Sequence, residues 1–234
     1  MKTIATFGCS YTESTHIGTL NRRLNNWPLF LSRRYNIPVE NYARGATSID
    51  FQLCEMLEYK QKNPYSICVF QITRPLRYTI DFKQGYTKDD VESNYIKYQK
   101  LSLGRMTSTG IAQEDKKYIS ELQSKRIFKN YKSWLTAFTT EQIMQNFAAS
   151  TLLANSIADF CYMHIHPSDE DHNNRVSNNY FGKQIKELPV LKDILGETKY
   201  NSFRGDAHLG GHHFNKAGNK WIADWVYNKI KDMI

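Results

Sequence analysis

Three short apolar runs, KTIATF (2–7), PVENYA (38–43) and YSICVFQI (65–72), are separated by two stretches of helical periodicity. In YSICVFQI the apolar residues run nearly unbroken, as in a strand covered on both faces. Strand, helix, strand, helix, strand in that order requires right-handed crossovers and a parallel sheet. The first helical stretch is NNWPLFLSRRY (25–35), where Pro28 is tolerated in a first turn. The second, TSIDFQLCEMLEYKQKN (47–63), puts Ile49, Leu53, Met56 and Leu57 on one stripe, with Thr47 or Ser48 as cap. Further on, FTTEQIMQNFAASTLLANSIADF (138–160) reads as a long helix and CYMHIH (161–166) as a fourth strand. A short helix is expected near 182–195. The last helix, 216–234, buries Trp221, Ile222, Trp225, Val226, Ile230 and Met233. The expectation is one domain over 1–234, a flavodoxin-like three-layer α/β/α build, and 234 residues suffice for one full-sized core.

Residues 75–135 interrupt the alternation after strand three. They read as an inserted, partly helical cap rather than a separate domain. The whole chain carries a formal charge of +8. Residues 74–132 hold 13 Lys or Arg against 7 Asp or Glu, so that segment carries +6 of the charge. Tyr78, Tyr86, Tyr95, Tyr98, Tyr118 and Tyr131 are interleaved with the cations. Aromatic platforms beside cations suit sugars, and they suit nucleotides or single-stranded nucleic acid as well. A small or carbohydrate partner, anionic in character, is favoured over nucleic acid. No apolar run approaches the roughly 20 residues that span a bilayer, so no membrane partner is expected. The N-terminal apolar stretch is too short for a secretory signal. Cys9, Cys54, Cys68 and Cys161 are scattered without a CxxC pair and read as free thiols in a reducing, cytoplasmic compartment.

In an open α/β sheet, sites form beyond the carboxyl ends of the strands. Ser10 follows strand one, NYARGATS (41–48) follows strand two, and QITRPLR (71–77) follows strand three. DAHLGGHHFNKAG (206–218) leads into the last helix and holds three of the seven histidines. A hydroxyl nucleophile needs a base within hydrogen-bond reach and a third group to orient that base. Ser10, one histidine of 208–213 and Asp206 meet that need by type. The backbone N–H groups of Ser10 and Gly45 are candidate oxyanion donors, since Gly permits close backbone approach. Arg74 and Arg77 lie nearest the expected site and suit a carboxylate or phosphate on the substrate. Asp206, His208, His212 and His213 could instead gather a metal, but no ligand set such as HExxH accompanies them, and none is expected.

These residues carry a resemblance. FGCSYT (7–12) resembles the first block of the SGNH (GDSL-like) hydrolases, whose Ser is the nucleophile. NYARGATS resembles the second block, whose Gly donates an oxyanion N–H, here Gly45. HFNKAGNKWIA (213–223) is similar to the last block, with Asn215 two on and Gly218 five on from His213. The resemblance implies that fold, no cofactor, and ester hydrolysis by Ser10 with His213 as base and Asp206 behind it. It departs in two places. The third block of the family reads Gly-x-Asn-Asp, and its Asn is a third oxyanion donor; here Thr73 stands at the Asn position, between Ile72 and Arg74. The family's acid lies three residues before its His, where this chain has Gly210; Asp206 is seven before His213 and two before His208, which makes His208 the alternative base. An O-acyl group on a carbohydrate or similar polar molecule is the expected ester. Two other functions remain open: an acyltransferase using the same Ser and His, and a catalytically weakened binding protein for an anionic ligand or nucleic acid.

Overall fold

Every residue of β1 (Ile4–Phe7) is buried, as a strand is when both faces of its sheet are covered. The computed structural model describes residues 1–13, 26–45, 47–72, 77–81, 86–92, 94–100, 103–107, 110–111, 121–164, 188–205 and 213–234. β2 (Val39–Asn41) and β3 (Ile67–Ile72) flank β1, both parallel to it, and β9 (Phe160–Met163) pairs in parallel outside β3. The order β2-β1-β3-β9 is that of a flavodoxin-like sheet. Val190 adds one parallel bridge to Met163 beyond β9.

Alternation along the strands divides the core in two. Ile4, Val69 and Tyr162 pack toward α2 (Trp27–Tyr35) and the last helix, α8 (Lys216–Ile230). Ala5, Phe7, Cys68, Phe70 and Met163 pack toward α3 (Ile49–Lys62) and α5 (Thr140–Ile157). The result is a three-layer α/β/α sandwich. Each of these helices starts on a side-chain cap: Asn26, Ser48, Thr139 and Asn215 each accept a first-turn N–H. Thr139 and Gln142 form a full capping box.

The insertion is richer in strand than a partly helical cap. It comprises β4 (Tyr78–Asp81), β5 (Tyr86–Glu92), β6 (Tyr95–Lys100), β7 (Leu103–Thr107), β8 (Gly110–Ile111) and α4 (Glu121–Ala137). β6 joins the main sheet in parallel beside β2, and β5 closes that edge antiparallel to β6. The main sheet therefore has five parallel strands and one antiparallel edge. β4, β7 and β8 form a separate antiparallel sheet. In YIKYQK the buried residues are Tyr95 and Lys97, a period-2 pattern in which a lysine holds an inward position. Lysine at an inward position hides a strand from hydropathy reading. Among the described residues no helix is long and apolar enough to cross a membrane.

Candidate active site

β1 ends in a turn that only glycine accommodates easily. Gly8 has φ +146°, and a Cβ there would lie 2.9 Å from both Cβ and Oε1 of Gln71. The chain then starts α1 (Ser10–Glu13), so Ser10 stands half-buried at the carboxyl edge of the central strand. The N–H groups of Thr12 and Glu13 both reach the Cys9 carbonyl, at 2.9 and 3.0 Å. Ser10 opens the helix, so its own N–H has no intrahelical partner.

Two glutamines grip this turn from opposite faces of the sheet. Gln52, in the first turn of α3, accepts the Gly8 N–H at 2.9 Å. Gln71, in β3 and on the α2 side, accepts the Cys9 N–H at 3.2 Å, the Cys9 thiol at 3.2 Å and the Thr12 hydroxyl at 3.3 Å. The Gln71 amide donates to the Ile72 carbonyl at 2.6 Å. The Gln52 Nε2 is buried with no hydrogen-bond partner.

The loop after β2 is tied to the same turn. The Arg44 N–H reaches the Gly8 carbonyl at 3.0 Å. Asn41 accepts from Thr6 Oγ1 and from the Ala43 N–H, each at 3.0 Å, and donates to the Thr12 carbonyl at 3.2 Å. Glu13, three residues after Ser10, is fully buried. Its carboxylate takes Arg44 Nη1 at 2.7 Å, Lys97 Nζ at 3.4 Å and the Gly45 N–H. The Gly45 N–H expected at an oxyanion is thus engaged by a carboxylate of the chain itself. The cations answer its charge, as a buried carboxylate requires.

The opposite wall comes from the end of the chain. His213, half-buried, precedes α8 and its ring centroid lies 4.9 Å from that of Tyr11. It is positioned by the backbone: its carbonyl accepts the Gly205 N–H at 2.8 Å, and the Asn215 N–H reaches Phe203 at 2.7 Å. The spacing that sequence reading noted has a local cause. Asn215 caps α8 through the Gly218 N–H at 2.9 Å, and a Cβ at Gly218 would lie 2.9 Å from Phe203 Cβ and 3.0 Å from Phe214. Tyr11 also stacks on His164 at 3.7 Å. His164, just past β9 and buried, has Nε2 2.6 Å from the Tyr200 hydroxyl.

The segments that carry Gly45 and His213 thus both border α1, Gly45 through Glu13 and His213 through Tyr11. No hydrogen bond joins Ser10 Oγ to His213; such pairs are commonly long without substrate. Arg77 is half-buried just before β4, and its Nη1 is buried without a hydrogen-bond partner. Thr79 of β4 accepts the Ser48 N–H at 2.8 Å, which docks the insertion beside the Gly45 loop. Asp206, His208, His212, Thr73 and Arg74 lie outside the described residues. Sequence reading missed Glu13, Gln52, Tyr11 and Tyr200. Only Gln52 left a signal, a polar residue at position i+3 on a stripe that begins at Ile49 and is otherwise apolar.

No protein-family model matches this chain, and no curated protein matches it. Among solved structures, it is similar to the psychrotrophic esterase EstA from Pseudoalteromonas sp. at 12% identity and a TM-score of 0.49, over 99% of this chain and 98% of that one. A lipase/acylhydrolase from Enterococcus faecalis matches at 12% identity and 0.47, over 99% and 96%. A member of the lipolytic G-D-S-L family from Veillonella parvula matches at 10% and 0.42, over 99% and 97%.

Proposed function

We propose that the chain is a serine-dependent ester hydrolase that removes an O-acyl group from a carbohydrate or similar polar alcohol. One observation carries this reading. Ser10 is presented by a constrained turn at the carboxyl edge of the central strand, and the His213 ring lies 4.9 Å from that of Tyr11, the next residue. In the first half-reaction Ser10 Oγ bonds to the acyl carbon while its proton passes to His213. The carbonyl π electrons move to oxygen and are held by N–H donors, Ser10's among them. Collapse expels the alcohol, which takes the proton back from His213. Water repeats the sequence on the acyl-serine and frees Ser10. Asp206 is assigned to orient His213, with His208 as the alternative base.

Arg77, with a buried guanidinium nitrogen that has no partner, supports an anionic group on the substrate, and Arg74 is assigned beside it. Thr73 is assigned a hydroxyl near the oxyanion. Gly45 serves the oxyanion only once Glu13 releases its N–H. That engagement favours one second reading, a weakened relative that binds an anionic ligand.

A fluorophosphonate probe with peptide mapping separates the two. Labelling of Ser10 that is lost in both Ser10→Ala and His213→Ala is the expected result. No labelling of folded protein would replace the hydrolase with the binding protein.

A further inference from the structure

The oxyanion donors that the resemblance calls for are three, and in this chain one is engaged and another is changed in kind. The Gly45 N–H is held by the Glu13 carboxylate, and Thr73 stands where the family has an amide side chain. One amide near the nucleophile turn is unspent. Gln52 is 0% exposed, and its Nε2 has no hydrogen-bond partner. The orientation of that amide is fixed by chemistry. The Gly8 N–H needs an acceptor, so Oε1 faces it at 2.9 Å and the NH₂ end is turned elsewhere. A buried amide without a partner costs stability unless a ligand completes it. The anchor lies only two residues before Ser10.

We propose that Gln52 donates this amide N–H to the oxyanion of the tetrahedral intermediate, supplying the side-chain amide that position 73 lacks. The inference rests on the ester-hydrolase reading. Gln52 is anchored through Oε1 on the Gly8 N–H, so its amide is fixed before substrate arrives, which is what makes such donors effective. No new covalent step is involved: the same carbonyl oxygen becomes negative and is held until the alcohol leaves.

The test compares wild type with Gln52→Glu on p-nitrophenyl acetate. Gln52→Glu keeps size and the acceptor for Gly8 but replaces the NH₂ donor by oxygen. The expected result is a fall in kcat of about 10²–10³-fold with KM within about threefold, the pattern of a lost oxyanion donor. A folded Gln52→Glu whose kcat stays within threefold of wild type overturns the proposal. So does a loss carried by KM, or one that tracks a lowered melting temperature. If Gln52→Glu does not fold, Gln52→Met decides by the same criteria. A wild type that neither turns over ester nor takes the fluorophosphonate sinks the hydrolase reading itself. A wild type that does both, with an undiminished variant, sinks only the role of Gln52.

Discussion

Gly8 is the residue on which presentation of Ser10 depends. At φ +146° an L side chain is strained, and the space a Cβ would need is taken by Gln71 Cβ at 2.9 Å, which has no freedom to swing away. Gly8→Ala should therefore lose about 1–3 kcal/mol from backbone strain and a similar amount from overpacking. In a chain of this size that lowers the melting temperature by roughly 5 °C or more. A variant melting within a degree of wild type would show that the turn relaxes freely. Its neighbour Cys9 is buried, with its thiol on Gln71. Cys68 is also buried, and burial pushes its thiol up to about 12, with Lys60 only partly offsetting this. Burial raises the Cys161 thiol as well. Only Cys54 is exposed. Ellman's reagent at pH 8 should find one fast thiol per chain and the other three only in denaturant; two fast thiols in native protein would contradict this burial.

α1 is too short to be stable on propensity alone, so tertiary contacts must hold it. Trp27 Nε1 reaches Thr12 Oγ1 at 3.4 Å, and Asn41 reaches the Thr12 carbonyl. Glu13 adds a charged tie to the loop after β2 and, through Lys97, to β6 of the insertion. Removing Glu13 takes a buried carboxylate away from Arg44 and Lys97, and Glu13→Ala should cost about 3–5 kcal/mol in urea unfolding. Lys97→Met should cost less, because Glu13 keeps Arg44 and the Gly45 N–H. The two changes share a partner, so the double variant should fall short of their sum by 0.5 kcal/mol or more, roughly the range of coupled sites. Strict additivity would mean that β6 is not coupled to the nucleophile helix. This tie also explains what the sequence withheld. The end of β1, the Gly8–Ser10 turn and the Asn215–Gly218 start of α8 are local patterns, and local patterns are legible. Gln52 and Gln71 meet partners 44 and 62 residues away, and no local pattern names those partners, even where Gln52 interrupts an apolar stripe. Lys97 looks like an exposed cation until β6 is known to pair with β2. Non-local pairing decided these roles, and a one-dimensional pattern does not contain it.

The molecule as a whole buries phenols as well as thiols, and this sets its alkaline limit. Burial raises Tyr162, with hydrogen bonds from Thr12 and Trp27 opposing weakly. Burial also raises Tyr59, and it raises Tyr42, where the nearby Glu40 charge adds to the effect. In the unfolded chain each of these ionises near the ordinary value of about 10. Above that pH the unfolded chain has released protons that the folded protein still holds. The stability these phenols contribute is therefore fully present below about pH 10 and falls as pH rises beyond it, by about 1.4 kcal/mol per pH unit for each fully shifted group, while the raised thiols begin to contribute from about pH 8.5. Tyr59 and Tyr162 together give a slope of roughly 3 kcal/mol per unit, and Cys68, Cys161 and Tyr42 steepen it. Against a net stability of about 5–15 kcal/mol, such slopes bring cooperative unfolding within a few units above pH 10. Absorbance at 295 nm and far-ultraviolet circular dichroism, followed together, read this directly. Solvent-exposed phenols should ionise first, with the fold intact. The buried ones should ionise only as the helical signal collapses, in one coincident step. If all 15 tyrosines titrate smoothly near pH 10 while the dichroism holds, the phenols around β1 and β9 are open to solvent and the two-faced core is wrong.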